Sequence, residues 1–159
     1  MDLSFPGPMF PAPPSLSLRC PDGWEPAFLA NALVAARDTA SPQGFDANVV
    51  VVATRLVDDS LGLDGLVADM HARTVADLSG TMQQTSTSVL ANREARLTAW
   101  LLEPAGTPFP LFQVEAALLV ASSNDRISHL VQLHGTAPAG YAEHYGAIFR
   151  AIFDTLAIA

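Results

Sequence analysis

Apolar and polar positions change period several times along the chain, and each change marks an element. Ala47 to Leu56 carries four consecutive valines, Val49 to Val52, a run that suits a strand packed on both faces and predicts the central strand of a sheet. Ahead of it, Leu16 to Cys20 and Asn31 to Asp38 read as shorter strands. Pro21-Asp22-Gly23 supplies the turn between them, and Ser41-Pro42-Gln43-Gly44 breaks the chain before the valines. From Asp64 to Leu78 the period becomes helical. Leu66, Val67, Met70, Val75 and Leu78, with Leu63 just ahead, fall on one stripe; Asp64 is placed to cap the start and Gly80 to mark the end.

Beyond that helix the period returns to two. The polar run Gln83 to Ser88, continuing to Ala91, predicts an edge or half-exposed strand, with Asn92-Arg93-Glu94 as the hairpin turn. Ala95 to Glu103, Leu111 to Ser122 and Arg126 to Ala137 follow as three strands with short connections, so neighbours run antiparallel, since parallel pairs need longer crossovers. Tyr141, Tyr145, Ile148, Phe149, Ile152, Phe153 and Leu156 then form the broad apolar face of a closing helix. The predicted class is α+β: an antiparallel sheet of about six strands flanked by helices.

Composition divides the chain once. Residues 1–15 contain Pro6, Pro8, Pro11, Pro13 and Pro14 and read as an extended proline-rich arm, which carries Phe5, Met9 and Phe10; residues 16–159 read as a single domain. The formal charge is -8, and all the basic side chains are arginines, because the sequence has no lysine. Such a surface repels phosphate backbones, so no nucleic-acid partner is expected. Cys20 is the sole cysteine and can form no intramolecular disulfide. The first twenty residues lack a basic, apolar leader, and no run approaches the ~20 apolar residues of a transmembrane segment. A cytoplasmic location is the expectation, with the cell envelope as the alternative if a leader has been removed.

Little in the chain specifies chemistry. His129 and His134 are five residues apart on one predicted strand, so they point to opposite faces and cannot share an ion. His71 and His144 border apolar helix faces. With no HExxH and no clustered Cys/His spacing, no metal site is expected. There is no GxSxG elbow and no glycine-rich phosphate loop, so no catalytic residue or cofactor is assigned. Alternation does build one shelf. If Phe112, Val114, Ala116, Leu118 and Val120 face the core, Gln113 and Glu115 face away; by the same test Thr98 joins Trp100, and Ser128 joins Gln132 and His134. An aromatic plane beside amides and an acid suits an amphipathic or hydrogen-bonding ligand. Thr98, Trp100, Gln113, Glu115, Gln132 and His134 are the candidate binding residues, set against the alternative of a face that is merely solvated or covered by a helix.

Pro21-Asp22-Gly23-Trp24, Phe45-Asp46-Ala47-Asn48-Val49-Val50-Val51, Ala91-Asn92-Arg93-Glu94-Ala95 and Phe112-Gln113, taken in order, resemble the LpqN/LpqT-like family of actinobacterial proteins over residues 16–157. The resemblance implies a PsbP-like fold, in which helices flank an antiparallel sheet as an α/β/α sandwich. It further implies a non-enzymatic envelope or binding protein, with relatives of the fold acting as accessory subunits, adaptors or secretion chaperones; glycolipids are among the amphipathic ligands such a protein would suit. Many members are lipoproteins, but here Cys20 follows Leu18-Arg19 rather than a small residue, which argues against lipidation. Three functions remain: a binding or adaptor protein for a protein partner or amphipathic ligand, a small hydrolase centred on a histidine, and a homodimer assembled through the proline arm.

Overall fold

Alternating strands with short connections can bury one face only if something covers it, and in this chain both faces are covered. The structure, a computed structural model, describes residues 4–159, so residues 1–3 of the arm lie outside it. Its strands are β1 (Leu16–Ser17), β2 (Trp24–Pro26), β3 (Val34–Asp38), β4 (Ala47–Val57), β5 (Thr81–Leu90), β6 (Arg93–Leu102), β7 (Leu111–Ala121), β8 (Ile127–Pro138) and β9 (Ala157–Ile158), with helices α1 (Gly62–Leu78) and α2 (Ala142–Phe153). Seven strands form one antiparallel sheet in the order β2-β3-β4-β8-β7-β6-β5, and β1 pairs with β9 in a small separate sheet. The main sheet therefore has seven strands rather than about six, because Trp24–Pro26 adds a short edge strand beyond β3.

The valine strand β4 is interior, but the centre of the sheet belongs to β8, which pairs with β4 on one side and β7 on the other. Val49 and Val51 are buried against α2 with Ala116, Leu118, Val131 and Leu133. Gly135 on β8 lets α2 come down onto this surface. A Cβ there would lie 2.4 Å from Phe149 Cγ, well inside contact distance. Phe149 also meets Trp24 edge-on at 6.4 Å and stacks on Tyr145 at 5.8 Å, while Tyr145 Oη donates to Asp38 Oδ2 at 2.8 Å. One aromatic cluster thus ties α2 to β2, β3 and β8.

The other face is set by a topological consequence of the strand order. β4 is third from one edge and β5 is the opposite edge, so the segment joining them must cross β8, β7 and β6, and α1 is that crossing. Leu63, Leu66, Val67 and Met70 pack on Leu56, Ala117, Leu119 and Leu130, and Leu78 joins Trp100, Leu102, Leu111, Phe45 and Phe109. Val75, expected on the stripe, is exposed. Asp64 does not cap α1; it pairs with Arg96, and Asp59 accepts from the amides of Leu61 and Gly62 instead. The left-handed residue closing α1 is Ser79, with φ 50°, not Gly80. Gly80 sits in tight space, since a Cβ there would lie 2.9 Å from Thr74 Cγ2 and 3.2 Å from Trp100 Cε3.

The β5–β6 hairpin turns on Ala91 and Asn92, both with positive φ, one residue earlier than the expected turn. The described part of the arm lies against its own domain: Arg55 donates to the Pro11 carbonyl at 2.8 Å and sits over the Phe5 ring, and Asn124 Nδ2 donates to the Pro8 carbonyl at 3.2 Å. No helix among the described residues is long and apolar enough to cross a membrane.

Gly135→Val is expected to lower stability by about 1–3 kcal/mol through overpacking against Phe149, read as a reduced denaturant midpoint. Gly146→Ala serves as its control. Its Cβ would meet only Phe112 at 3.5 Å, an ordinary contact on a helix, so stability should rise by about 0.5–1 kcal/mol and the midpoint with it.

Candidate functional site

The two apolar clusters beneath α1 leave a polar row between them. Because Phe112, Val114, Ala116, Leu118 and Val120 face α2 as expected, Gln113 and Glu115 face α1, joined by Thr98 and Trp100 from β6 and by Gln132, His134 and Thr136 from β8. The six residues singled out from the sequence do share one face. That face is not open, however: α1 covers it, Trp100 is fully buried, and Thr98 and Glu115 are 2% and 3% exposed. The helix brings a seventh group. His71 places Nε2 3.0 Å from Thr98 Oγ1 and 3.9 Å from Glu115 Oε1, with its ring edge-on to Trp100 at 5.1 Å.

Glu115 is the chemical centre of the row. His134 Nδ1 lies 3.8 Å from its Oε2, so an imidazole flanks each oxygen of the carboxyl without making a direct hydrogen bond. Burial pushes the Glu115 carboxyl up from the usual 4.5 to about 7, and burial pulls the His134 imidazole down from 6.5 to about 4. His71 is shifted down for the same reason. Between about pH 4 and 7 Glu115 is thus a protonated acid beside a neutral His134 imidazole. Gln113 accepts from Thr136 Oγ1 through its Oε1 at 3.2 Å, which removes its carbonyl from competition for the cluster. Trp100 Nε1 is buried without a partner.

One side of the row opens into a cleft of about 240 Å³ between α1 and the strands. Glu115, Gln132 and His134 form its polar floor, Leu56, Leu66, Met70 and Leu130 its apolar walls, and Asp69 and Arg73 stand among the lining residues on α1. Thr98, Trp100 and Gln113 lie along the same face but do not line this cleft. α1 is also the lightly seated layer: Val67 is its single buried residue, against four in α2.

A hydrolytic relay finds little support in this geometry. Thr98 and Glu115 both approach His71 at Nε2, whereas a relay needs the acid on one ring nitrogen and the hydroxyl on the other. No serine or cysteine lines the cleft. His129, as expected, faces the opposite way from His134. It is buried beside Arg55 and Val120, its pKa is lowered by burial and by Arg55, and its Nε2 has no partner. No group of three metal-ligating side chains is placed to hold an ion among the described residues. The sequence reading missed His71 because helical spacing from Val67 shows only that it borders the core. Which sheet residues lie beneath it depends on where the crossover passes.

The arrangement is that of a PsbP-like fold, with an antiparallel sheet carrying one helix across each face. No family model and no curated protein sequence matches the chain. Among solved structures it is similar to LpqN, a protein involved in cell envelope biogenesis of Mycobacterium tuberculosis, with a TM-score of 0.70 at 13% identity over 94% of this chain and 86% of that one. It is also similar to cyanobacterial PsbP (CyanoP) from Synechocystis, with a TM-score of 0.62 at 11% identity over 100% and 98% of the two chains. PA94, a Pseudomonas aeruginosa protein of unknown function, gives 0.58 at 14% identity over 88% and 94%. The fold is LpqN-like and PsbP-like, and at these identities the likeness concerns fold alone.

The opposite shifts of Glu115 and His134 make a thermodynamic signature. A carboxyl raised to about 7 contributes stability that is full below 4.5 and lost as pH rises through 7. An imidazole lowered to about 4 contributes stability that is full above 6.5 and lost as pH falls through 4. The two slopes oppose each other between roughly pH 4.5 and 6.5. Glu115→Gln should therefore unmask a rise of stability with pH across that window, approaching about 1.4 kcal/mol per unit, and His134→Gln a fall. Urea midpoints measured from pH 4 to 8 check both, and parallel curves in the two variants would refute the assignment.

Proposed function

We propose that this protein is a non-catalytic binding protein that accepts a neutral amphipathic ligand in the cleft beneath α1. The observation that carries this reading is the pairing of apolar walls with a floor of Glu115, Gln132 and His134. Glu115 in its protonated form offers an O–H donor and a carbonyl acceptor, Gln132 offers both kinds of group, and neutral His134 adds one more, so the floor suits hydroxyl or ester groups. A carboxylate ligand is disfavoured, because it would confront Glu115 whenever that group ionises. The cleft is smaller than a typical ligand site, which favours a short chain or one end of a longer molecule. Seating a larger ligand would draw on the light packing of α1, and displacement of that helix would bring Gln113, Thr98 and Trp100 into reach. On this view all six residues form one ligand face.

The likeness in fold to LpqN supports cell-envelope association as part of the same proposal, because that protein is involved in cell envelope biogenesis. The proposed ligand class, with apolar chain and neutral head, is also one that an envelope supplies.

The test is titration of the full chain with a short-chain monoacylglycerol and, separately, with the fatty-acid anion of the same chain length, followed by Trp100 fluorescence in a Trp24→Phe background. The expected result is a saturable response to the monoacylglycerol at pH 6, a response to the anion at least tenfold weaker at pH 8, and loss of both in Thr54→Phe, whose ring fills the cleft without adding a second indole. No saturable response in the parent, or an equal response in the filled variant, would overturn the proposal.

A further inference from the structure

We propose that the cavity between the proline-rich arm and the end of the sheet is a second binding site, one that takes an organic monocarboxylate with an apolar body. The cavity measures about 580 Å³, within the usual range of small-molecule sites, and His129 and Val120 place it on the side of the sheet opposite the cleft beneath α1. Pro6, Pro11, Pro13 and Pro14 form one wall, and Val120 and Ile158 stand across from them, so most of the lining is apolar and the arm's part of it is stiff. Arg55 and Asn124 hold the arm in that place by donating to the Pro11 and Pro8 carbonyls.

Two side chains supply the polar end. The strand registers set Arg55, His129 and Val120 in one row across β4, β8 and β7, and Arg93, two residues before the partner of Leu118, continues that row on β6. His129 lines the cavity at 2% exposure, and its Nε2 is buried without a partner in the chain, an arrangement that a bound acceptor would relieve. Burial and Arg55 both lower the pKa of His129, so it meets a ligand as a neutral imidazole with one N–H to donate. Arg93 uses one N–H on the Ala91 carbonyl. It has no ion-pair partner among the described residues, the Ala159 carboxylate included, whereas Arg37, Arg96, Arg126 and Arg150 each have one.

The sign of the ligand follows from these groups. The chain as a whole carries a charge of -8, but no Asp or Glu lines this cavity, and charges more than about 10 Å away are largely screened at ordinary ionic strength. A guanidinium takes a carboxylate through paired N–H bonds, and the imidazole adds another. One negative charge suits the site better than two, because Arg93 is the single cationic side chain in the lining and Ala159 brings a carboxylate to the same wall.

The test is titration of the full chain with octanoate and, separately, with octanamide at pH 7.5, followed by NMR of the assigned histidine ring protons. Octanoate is expected to move the His129 signals saturably while those of His134, on the opposite face, stay in place; octanamide should bind at least tenfold more weakly. Arg93→Gln should weaken octanoate binding about tenfold and leave octanamide unchanged. Thr54→Phe, which fills the cleft beneath α1, should leave the octanoate response intact, so this site and that one are tested separately. No saturable shift of His129, equal binding of the amide, full octanoate affinity in Arg93→Gln, or loss of the response in Thr54→Phe would each overturn the proposal.

Discussion

The seating of Phe149 on Gly135 is the contact on which the rest of the structure depends. It lies toward the end of the central strand, where absence of a side chain lets an aromatic ring rest directly on the sheet. From that point Phe149 reaches Trp24, and Tyr145 reaches Asp38, so the outer strands are tied to the centre through α2 as well as through the ladder. This contact also decides which face of the sheet is the apolar core. Since side chains alternate along a strand, committing Val49, Val51, Ala116, Leu118 and Leu133 to α2 commits the intervening residues to α1.

The second face consequently carries residues that a core would not choose. Glu115, His134 and Thr98 lie beneath a helix with only one buried side chain, and the result is an acid whose proton is retained to about neutral pH. Desolvation dominates here because neither imidazole is close enough to form a strong charged pair with the carboxyl. A floor without net charge is the physical basis for proposing a neutral ligand head rather than an ionic one.

The two halves of the sheet differ in finish. The β2–β3–β4 side is bound in by α2 and the aromatic cluster, whereas Thr81 to Thr87 of β5 are exposed and only the far end of that strand returns to α2, where Arg150 donates to Ser88 and Leu90 joins the core. The same crossover that lays α1 over the polar row delivers the chain to that edge strand. Site and edge are thus consequences of one connection.

By itself the sequence determined the strands β3 to β8 and both helices, the antiparallel pairing of the closing strands and the sharing of one face by Thr98, Trp100, Gln113, Glu115, Gln132 and His134, but not the short strands β2 and β9. Periodicity and loop length are local properties, and each of these features follows from them. The resemblance in motif order to the LpqN/LpqT-like proteins pointed to the same architecture. Local signals misled where two explanations satisfy one pattern: Asp64 suits a cap but pairs with Arg96, and Val75 suits a stripe but faces solvent. The tertiary structure alone decided that β8 rather than the valine strand lies at the centre, that α1 covers the shelf, and that His71 meets Glu115 there. The reason is that strand order and the path of a crossover depend on which distant surfaces pack together, and no short stretch of sequence encodes such a choice.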